Sequence, residues 1–118
     1  MIQYVDPIPP IVTFLSVRLN RISVYGNIAK NPVLPALIVK SAGGAGFSRI
    51  QLLARAEKDF EAMELLIQTM MLLEQYANQI QGIRVTWCGR ESNPFPSVDQ
   101  DTGTPEAWCY MRLEHVEG

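Results

Sequence analysis

A long apolar helix pattern in the middle of the chain constrains the fold more than any other feature. Over residues 59–78, one stripe of apolar side chains recurs at helical spacing. The stripe consists of Phe60, Met63, Ile67 and Met70, and it is widened by Leu65, Leu66, Leu72, Leu73 and Tyr76. Asp59 is suited to the N-cap. The apolar surface around this helix is wider than one sheet face can cover. We therefore expect a helix that is deeply buried or that contacts another subunit.

The residues before this helix predict a β-hairpin. Residues 36–40 form a continuous apolar run, which indicates a strand buried on both faces. Residues 48–56 follow, with Ile50, Leu52 and Ala54 alternating against more polar neighbours. A short glycine-rich segment joins the two runs, as expected of a hairpin loop.

The remaining elements complete an α+β pattern. We expect a helix over 10–21, a short strand or extended segment over 23–27, and strands over 83–88 and 107–116. The segment 89–106 contains three prolines and predicts a long loop, which in a small domain often carries function. The predicted fold is α+β, a single domain over 1–118 with a mixed or antiparallel sheet of four to five strands and two helices packed on one face.

Composition limits the classes of function. A chain of 118 residues suits one domain, and its formal net charge is −2 with scattered basic residues. No basic patch is evident, which argues against a protein that binds by neutralising nucleic-acid phosphates. Charged residues make up 19%, somewhat below the usual fraction, which suggests that a partner covers part of the surface.

The cysteines and the termini predict a protein made in the cytoplasm. One pair of cysteines, Cys88 and Cys109, does not form a disulfide framework. The first residues lack a basic region followed by an apolar run, and no apolar stretch is long enough to span a membrane. If the last two strands pair, the two cysteines lie close, either bonded or, in the favoured interpretation, as free buried thiols.

The residue types that carry chemistry lack the partners that they require. Gly43, Gly44 and Gly46 are followed by a strand, whereas a phosphate-binding loop requires a helix N-terminus. His115, the only histidine, lies six residues from Cys109 on the predicted last strand, roughly 20 Å away. We therefore expect an exposed histidine without a catalytic or metal partner.

The acidic residues predict no calcium site and no acid–base pair. Asp99 and Asp101 resemble the start of an EF-hand loop, but the twelfth position from Asp99 is Tyr110, where a glutamate is required. A solvated turn is the better interpretation. The spacing of the glutamates on the long helix places no facing carboxylate pair. We expect no enzymatic activity, metal or cofactor.

The order of elements resembles a known family. The N-terminal helix precedes the extended segment 24–26 and the strand that begins at Pro35. The strand over 49–56 then continues directly into the helix that begins at Asp59 and carries Glu61 and Ala62. With the long helix and two terminal strands, nearly the whole chain resembles the tail-terminator and tail-completion proteins of siphophages, which include minor tail protein U.

The resemblance implies a virion structural protein without catalytic residues. Such proteins form a hexameric ring that caps the tail tube in the neck, stops tube polymerisation and presents a surface to the head connector. The sheet lines the ring, and the mildly acidic chain suits a lumen through which DNA passes without specific binding. The resemblance implies partner contacts in the segments 41–48 and 89–106. The residues expected there are Gly43, Gly44, Gly46, Phe47, Asn93, Phe95, Asp99 and Asp101.

Other functions stay open at this point. Another neck component, such as a head-closure or adaptor protein, shares the same physical requirements, because fold alone does not separate these roles. A small α+β ligand-binding or regulatory module would require an enclosed pocket with convergent polar groups. An enzyme that uses Cys88 or Cys109 is the least favoured hypothesis, since no base lies near either thiol in the sequence.

Overall fold

The chain folds into two α-helices, a 3-10 turn and six strands within residues 4–116, the part that the computed structural model describes. In chain order these elements are α1 (Ile8–Arg18), β1 (Ser23–Gly26), β2 (Ala36–Ser41), β3 (Ser48–Arg55), α2 (Asp59–Tyr76), the 3-10 turn (Ala77–Gln79), β4 (Arg84–Arg90), β5 (Phe95–Val98) and β6 (Pro105–Val116). The α+β class is confirmed, but the sheet has six strands where the sequence predicted four to five.

The strands form one mixed sheet in the order β1-β2-β3-β6-β4, and β5 also pairs with β6. Only β1 and β2 are parallel. The predicted hairpin of β2 and β3 is confirmed, with Ala36 opposite Arg55 and Ser41 opposite Ile50. The C-terminal strand β6 becomes an interior strand, because it pairs with β3 on one side and with β4 and β5 on the other.

Both helices pack on one face of this sheet, as predicted. α1 lies against β1 and β2, whereas α2 lies against β6, β3 and β4. A single hydrophobic core joins the helices to the sheet face that carries Val39, Leu52 and Met111. The opposite face, called the open face below, is not covered by a helix of the described residues.

The first helix begins and ends earlier than the sequence predicted. It spans Ile8–Arg18 and not residues 10–21. Asp6 explains the early start, because its carboxylate accepts a hydrogen bond of 3.0 Å from the backbone N–H of Ile8. Pro9 then lies in the first turn, where a missing N–H leaves no helical hydrogen bond unmade.

The buried face of α2 differs from the predicted stripe. The buried residues are Ala62, Leu65, Leu66, Thr69, Met70 and Leu73. Phe60 is 54% exposed and Ile67 is 38% exposed, so of the predicted stripe only Met70 is fully buried. The helix is apolar on two sides, and the spacing alone did not show which side meets the sheet. The N-cap is Lys58, and Asp59 is already the first helical residue.

The predicted long loop over 89–106 was also wrong. β4 continues to Arg90, and β5 occupies Phe95–Val98. Between them the backbone N–H of Glu91 donates to the carbonyl of Tyr110 at 2.8 Å. Pro96 is compatible with β5, because an edge strand can direct that position toward solvent. Only a short connection over 91–94 and a turn over 99–104 remain outside the strands.

Candidate functional site

The glycine-rich loop between β2 and β3 has a closed base and an exposed tip. The base is held by two backbone hydrogen bonds of 2.8 Å, from Ala42 to Arg49 and from Arg49 to Gly43. Gly43, Gly44 and Gly46 all have positive φ, and a Cβ on Gly44 would lie 2.4 Å from the carbonyl oxygen of Phe47. The backbone at Gly44 therefore requires glycine.

Phe47 is the last residue of this loop, and two arginines contact its ring. The guanidinium carbon of Arg112 lies 3.9 Å from the centre of the Phe47 ring, and that of Arg49 lies 5.6 Å away. Both distances are within the range of cation–π contacts. The half-buried ring thus anchors the loop to β3 and β6 and leaves the glycine tip as the exposed part.

The second predicted contact segment is divided by β5. Asn93 is exposed in the short connection before β5. Phe95 lies on β5 with 55% of its surface exposed, and its ring packs 5.2 Å from that of Trp108. Trp108 in turn contacts Tyr110 edge to face at 5.5 Å. The edge of the sheet therefore presents an aromatic ladder with one exposed end.

Asp99 and Asp101 lie in the tight turn between β5 and β6. The Asp99 carboxylate accepts a hydrogen bond of 2.9 Å from the Thr102 hydroxyl and a longer one from the Asp101 backbone N–H. These bonds and the nearby Arg55 guanidinium hold the pKa of Asp99 below its usual range. Asp101 is exposed at the tip. Asp99 therefore shapes the turn, and Asp101 is available to a partner.

The structure places the two predicted contact loops at opposite ends of the sheet. The glycine loop precedes Ser48, which pairs with Leu113, whereas the 99–104 turn precedes Pro105 beside the far end of β3 at Arg55. The seven residue-to-residue steps from Ser48 to Arg55 span roughly 23 Å of strand. The candidate contact residues are thus not one cluster. The glycine loop and the 99–104 turn lie at the two ends of the sheet, and Asn93 and Phe95 lie along its edge between them.

An apolar row crosses the open face. The register aligns Tyr25 with Ile38, Ile38 with Leu53, and Leu53 with Trp108 and then Phe95. Ile38 and Leu53 are buried, although they lie opposite the helices. The sequence did contain one signal for this row, since Leu52 and Leu53 are adjacent apolar residues and interrupt the alternation of β3.

The arginines of the open face are paired with carboxylates. Arg55 contacts Glu106 at 2.7 Å, and the Glu106 side chain is 9% exposed. Arg49 contacts Glu91 at 2.6 Å. Arg112 lies 3.8 Å from Glu114. Lys40 lies on the same face, two positions from Ile38, and forms no ion pair within residues 4–116.

The sequence predicted that His115 is an exposed residue at the end of the last strand, and this prediction was wrong. Its Nε2 lies 2.9 Å from the hydroxyl oxygen of Ser48, so the pair joins the start of β3 to the end of β6. The Nδ1 atom is buried and has no hydrogen-bond partner among residues 4–116. Ser48 itself is 5% exposed. No sequence pattern predicts this pair, because only the strand register brings the two residues together.

A cavity of about 460 Å³ opens beside this pair. Its lining residues are Tyr4, Gly44, Gly46, Phe47, Ser48, His115 and Val116. A serine hydroxyl next to an imidazole is the arrangement of a nucleophile and its base. Within residues 4–116, however, nothing orients Nδ1 of His115, and Ser48 is buried. The geometry favours a polar contact that stabilises this end of the sheet.

The two cysteines are free thiols in a protonated state at neutral pH. The register places Cys88 opposite Leu113, four positions along β6 from Cys109. The two cysteines are therefore not opposite each other, although the pairing of the last two strands was expected to bring them close. Burial raises the pKa of Cys88 to about 12 and that of Cys109 to about 11. A thiol with so high a pKa is a weak nucleophile at neutral pH.

The described residues contain neither a metal-binding cluster nor a membrane-spanning helix. No group of three or more His, Cys, Asp or Glu side chains within residues 4–116 is arranged to hold a metal ion. Neither helix there combines the length and the apolar character needed to cross a membrane.

Comparison with known proteins adds no family assignment. No protein-family model matches the chain, and no curated protein shows significant sequence similarity to it.

Proposed function

We propose that this chain is a structural protein of a siphophage virion, a tail terminator or tail-completion protein. It forms a homohexameric ring at the neck end of the tail tube. The ring ends polymerisation of the major tail tube protein and provides the surface that joins the tail to the head-completion or connector protein. Assembly takes place in the host cytoplasm, and neither a membrane nor a cofactor takes part.

The separation of the two exposed loops supports this proposal most directly. A ring subunit between a tube and a connector requires one contact surface toward each of them. The glycine loop and the 99–104 turn lie at opposite ends of the sheet, separated by the length of β3. The helices α1 and α2 lie toward different edges of the sheet and remain available for neighbouring subunits. The subunit therefore has two ends for axial partners and two sides for copies of itself.

Three basic groups of the open face are neutralised by carboxylates, which suits a passage for DNA. In the proposed ring this face lines the lumen. Its arginines Arg49, Arg55 and Arg112 are each paired with a carboxylate, so they are poorly available to phosphates. Affinity for DNA depends mainly on free basic groups that displace counterions. DNA is therefore expected to pass this wall without specific binding.

Electron microscopy of tails tests the proposal. In a siphophage whose genome carries this chain, a nonsense mutation is expected to yield tails of irregular length without heads. The wild-type chain supplied in trans should restore uniform length and appear as a ring at the head-proximal end. Tails of normal length that join heads in the absence of the chain would refute the proposal.

A different neck position would give a different partner. A head-closure or adaptor protein would bind the connector and leave tube length unchanged. The same microscopy separates these roles, because it shows whether the missing chain affects tube length or only the joining of heads to finished tails.

A ligand-binding module is the second candidate, and the cavity at His115 favours it. The buried Nδ1 of His115 has no partner among residues 4–116, and the cavity of about 460 Å³ lies beside it. A small polar ligand would supply the missing hydrogen bond. Native mass spectrometry of the purified protein tests this candidate. A retained small molecule that is lost in His115→Ala would support it, and a bare chain would count against it.

A further inference from the structure

The charges of the chain are strongly segregated along the sequence. Between Pro7 and Ala56 there are basic residues and no acidic ones. The basic residues are Arg18, Arg21, Lys30, Lys40, Arg49 and Arg55. Over residues 57–81 acidic residues predominate, with Lys58 as the single basic exception. The acidic residues there are Glu57, Asp59, Glu61, Glu64 and Glu74.

The fold places part of this segregated charge on two sides of the molecule. α1 packs on β1 and β2, at one edge of the sheet, and α2 packs toward β6 and β4, at the other. We call these the α1 side, which includes the β1–β2 connection, and the α2 side. Arg21 and Lys30 are exposed on the α1 side and form no ion pair within residues 4–116. On the α2 side, Glu61 and Glu64 are likewise exposed and without an ion pair there.

Each side also exposes apolar surface. On the α1 side, Val17 is 75% exposed and Ile28 is 79% exposed. On the α2 side, Ile67 and Met71 are 38% and 47% exposed, and they line a shallow groove of about 420 Å³ together with Glu64. Apolar residues bordered by charged ones are typical of protein interfaces.

We infer that the α1 side of one subunit binds the α2 side of a second copy of the same chain. A two-fold contact of either side with itself would oppose like charges, which is unfavourable. A head-to-tail contact brings Arg21 and Lys30 toward Glu61 and Glu64 and covers apolar surface on both subunits. Such a contact uses different surfaces on the two partners, which is the geometry that generates rings. This inference rests on the proposed ring and specifies which faces form it.

Complementary blocking variants test this arrangement. Val17→Asp places a charge on the α1 side, and Ile67→Asp places one in the α2 groove. Sedimentation analysis is expected to show that each variant alone associates at least roughly tenfold more weakly than the wild type, because the contact would bury an unpaired carboxylate. An equimolar mixture retains one intact side on each partner. It should give a 1:1 heterodimer of twice 13.2 kDa and nothing larger.

Matched controls separate an interface effect from misfolding. Gln100→Asp adds the same charge at an exposed position outside both sides and should associate like the wild type. Each variant should keep the wild-type unfolding temperature. If Ile67→Asp does not fold, Met71→Asp replaces it, since Met71 lies in the same groove and is more exposed.

Charge reversal gives an independent test. The double variant Arg21→Glu with Lys30→Glu and the double variant Glu61→Lys with Glu64→Lys should each lose association at low ionic strength. Mixing the two should restore it, because every contact then joins opposite charges. High salt should weaken association of the wild type.

Three outcomes would overturn the inference. These are self-association of Val17→Asp alone, a mixture that gives no heterodimer when the wild type associates, and a ring on tails that Val17→Asp forms as readily as the wild type. A ring seen on tails together with any of these outcomes would leave the proposed function intact and reject only this choice of faces. A head-to-tail oligomer that never associates with tails would support this choice of faces and reject the proposed function.

Discussion

Individual carboxylates of this protein fasten elements to one another. Glu74 on α2 accepts hydrogen bonds from the Arg90 side chain and backbone on β4. Glu91, beyond β4, pairs with Arg49 on β3 at 2.6 Å. In both pairs the hydrogen bond from the arginine holds the pKa of the glutamate below its ordinary range. These two pairs therefore link α2 to β4 and the end of β4 to β3.

The lowered pKa values predict a loss of stability in acid. A carboxylate whose pKa is lower in the folded state stabilises the fold above its unfolded-state pKa, and this contribution disappears as the pH falls through the folded-state pKa. The free energy of unfolding should therefore decline as the pH falls below about 4 to 5. Glu74→Gln should make this decline shallower and cost less than about 1 kcal/mol at neutral pH. Denaturant titrations at several pH values measure both.

The partner of Glu74 provides the control for this prediction. Arg90→Gln removes the hydrogen bonds that lower the pKa of Glu74, so it should produce a similarly shallow decline. A pH dependence that is unchanged in both variants would show that this pair does not contribute to acid sensitivity.

The high pKa values of the thiols predict slow labelling of the native protein. With the pKa of Cys88 raised to about 12 by burial, the reactive thiolate is scarce at neutral pH. Reaction with a disulfide reagent should be on the order of a thousandfold slower than in denaturant. Cys88→Ser isolates Cys109, which should also react slowly. Rapid labelling of the folded wild type or of folded Cys88→Ser would contradict the buried environment described above.

At the scale of elements, sequence patterns predicted what depends on local periodicity. The β2–β3 hairpin was found because a continuous apolar run, a glycine loop and an alternating strand follow one another. The strand β5 was missed because Pro94 and Pro96 indicate a loop, although an edge strand accepts proline. The buried side of α2 was misassigned because the helix is apolar on two sides.

The candidate site was predictable only in part, because much of it depends on strand register. The glycine loop and the 99–104 turn were expected from their own residues. By contrast, Ser48 and His115 are separated by 67 positions, and their contact exists only because β3 pairs with β6. The ion pair of Arg55 with Glu106 depends on the same register. No local pattern encodes such contacts.

The glycine loop predicts unequal effects of alanine at neighbouring positions. Gly44 has φ +111°, and an added Cβ would lie 2.4 Å from the Phe47 carbonyl oxygen. Gly44→Ala should therefore lower the free energy of unfolding by about 1–3 kcal/mol. Gly46 has φ +75° with open space around an added Cβ, so Gly46→Ala should cost about 1 kcal/mol or less. Equal losses in denaturant titrations would contradict the crowding at Gly44.

At the scale of the whole molecule, exposed features are distributed in four directions. The sheet has one exposed loop at each end, and its two edges carry helices of opposite charge. One sheet face is closed by the hydrophobic core, and the other presents paired charges and an apolar row. A monomeric binding module requires one concave site. This distribution instead suits a subunit with several simultaneous neighbours.

The separation of the two ends predicts that axial contacts fail independently. Ala45→Asp alters the exposed tip of the glycine loop, and Asp101→Lys alters the tip of the 99–104 turn. Because roughly 23 Å of strand separates these ends, each variant should lose one partner and keep the other. Cosedimentation with tail tubes and capture by the connector protein measure the two contacts, while sedimentation of the free chain monitors self-association. If both variants lost the same partner, the two loops would share one contact, and the axial arrangement proposed here would be wrong.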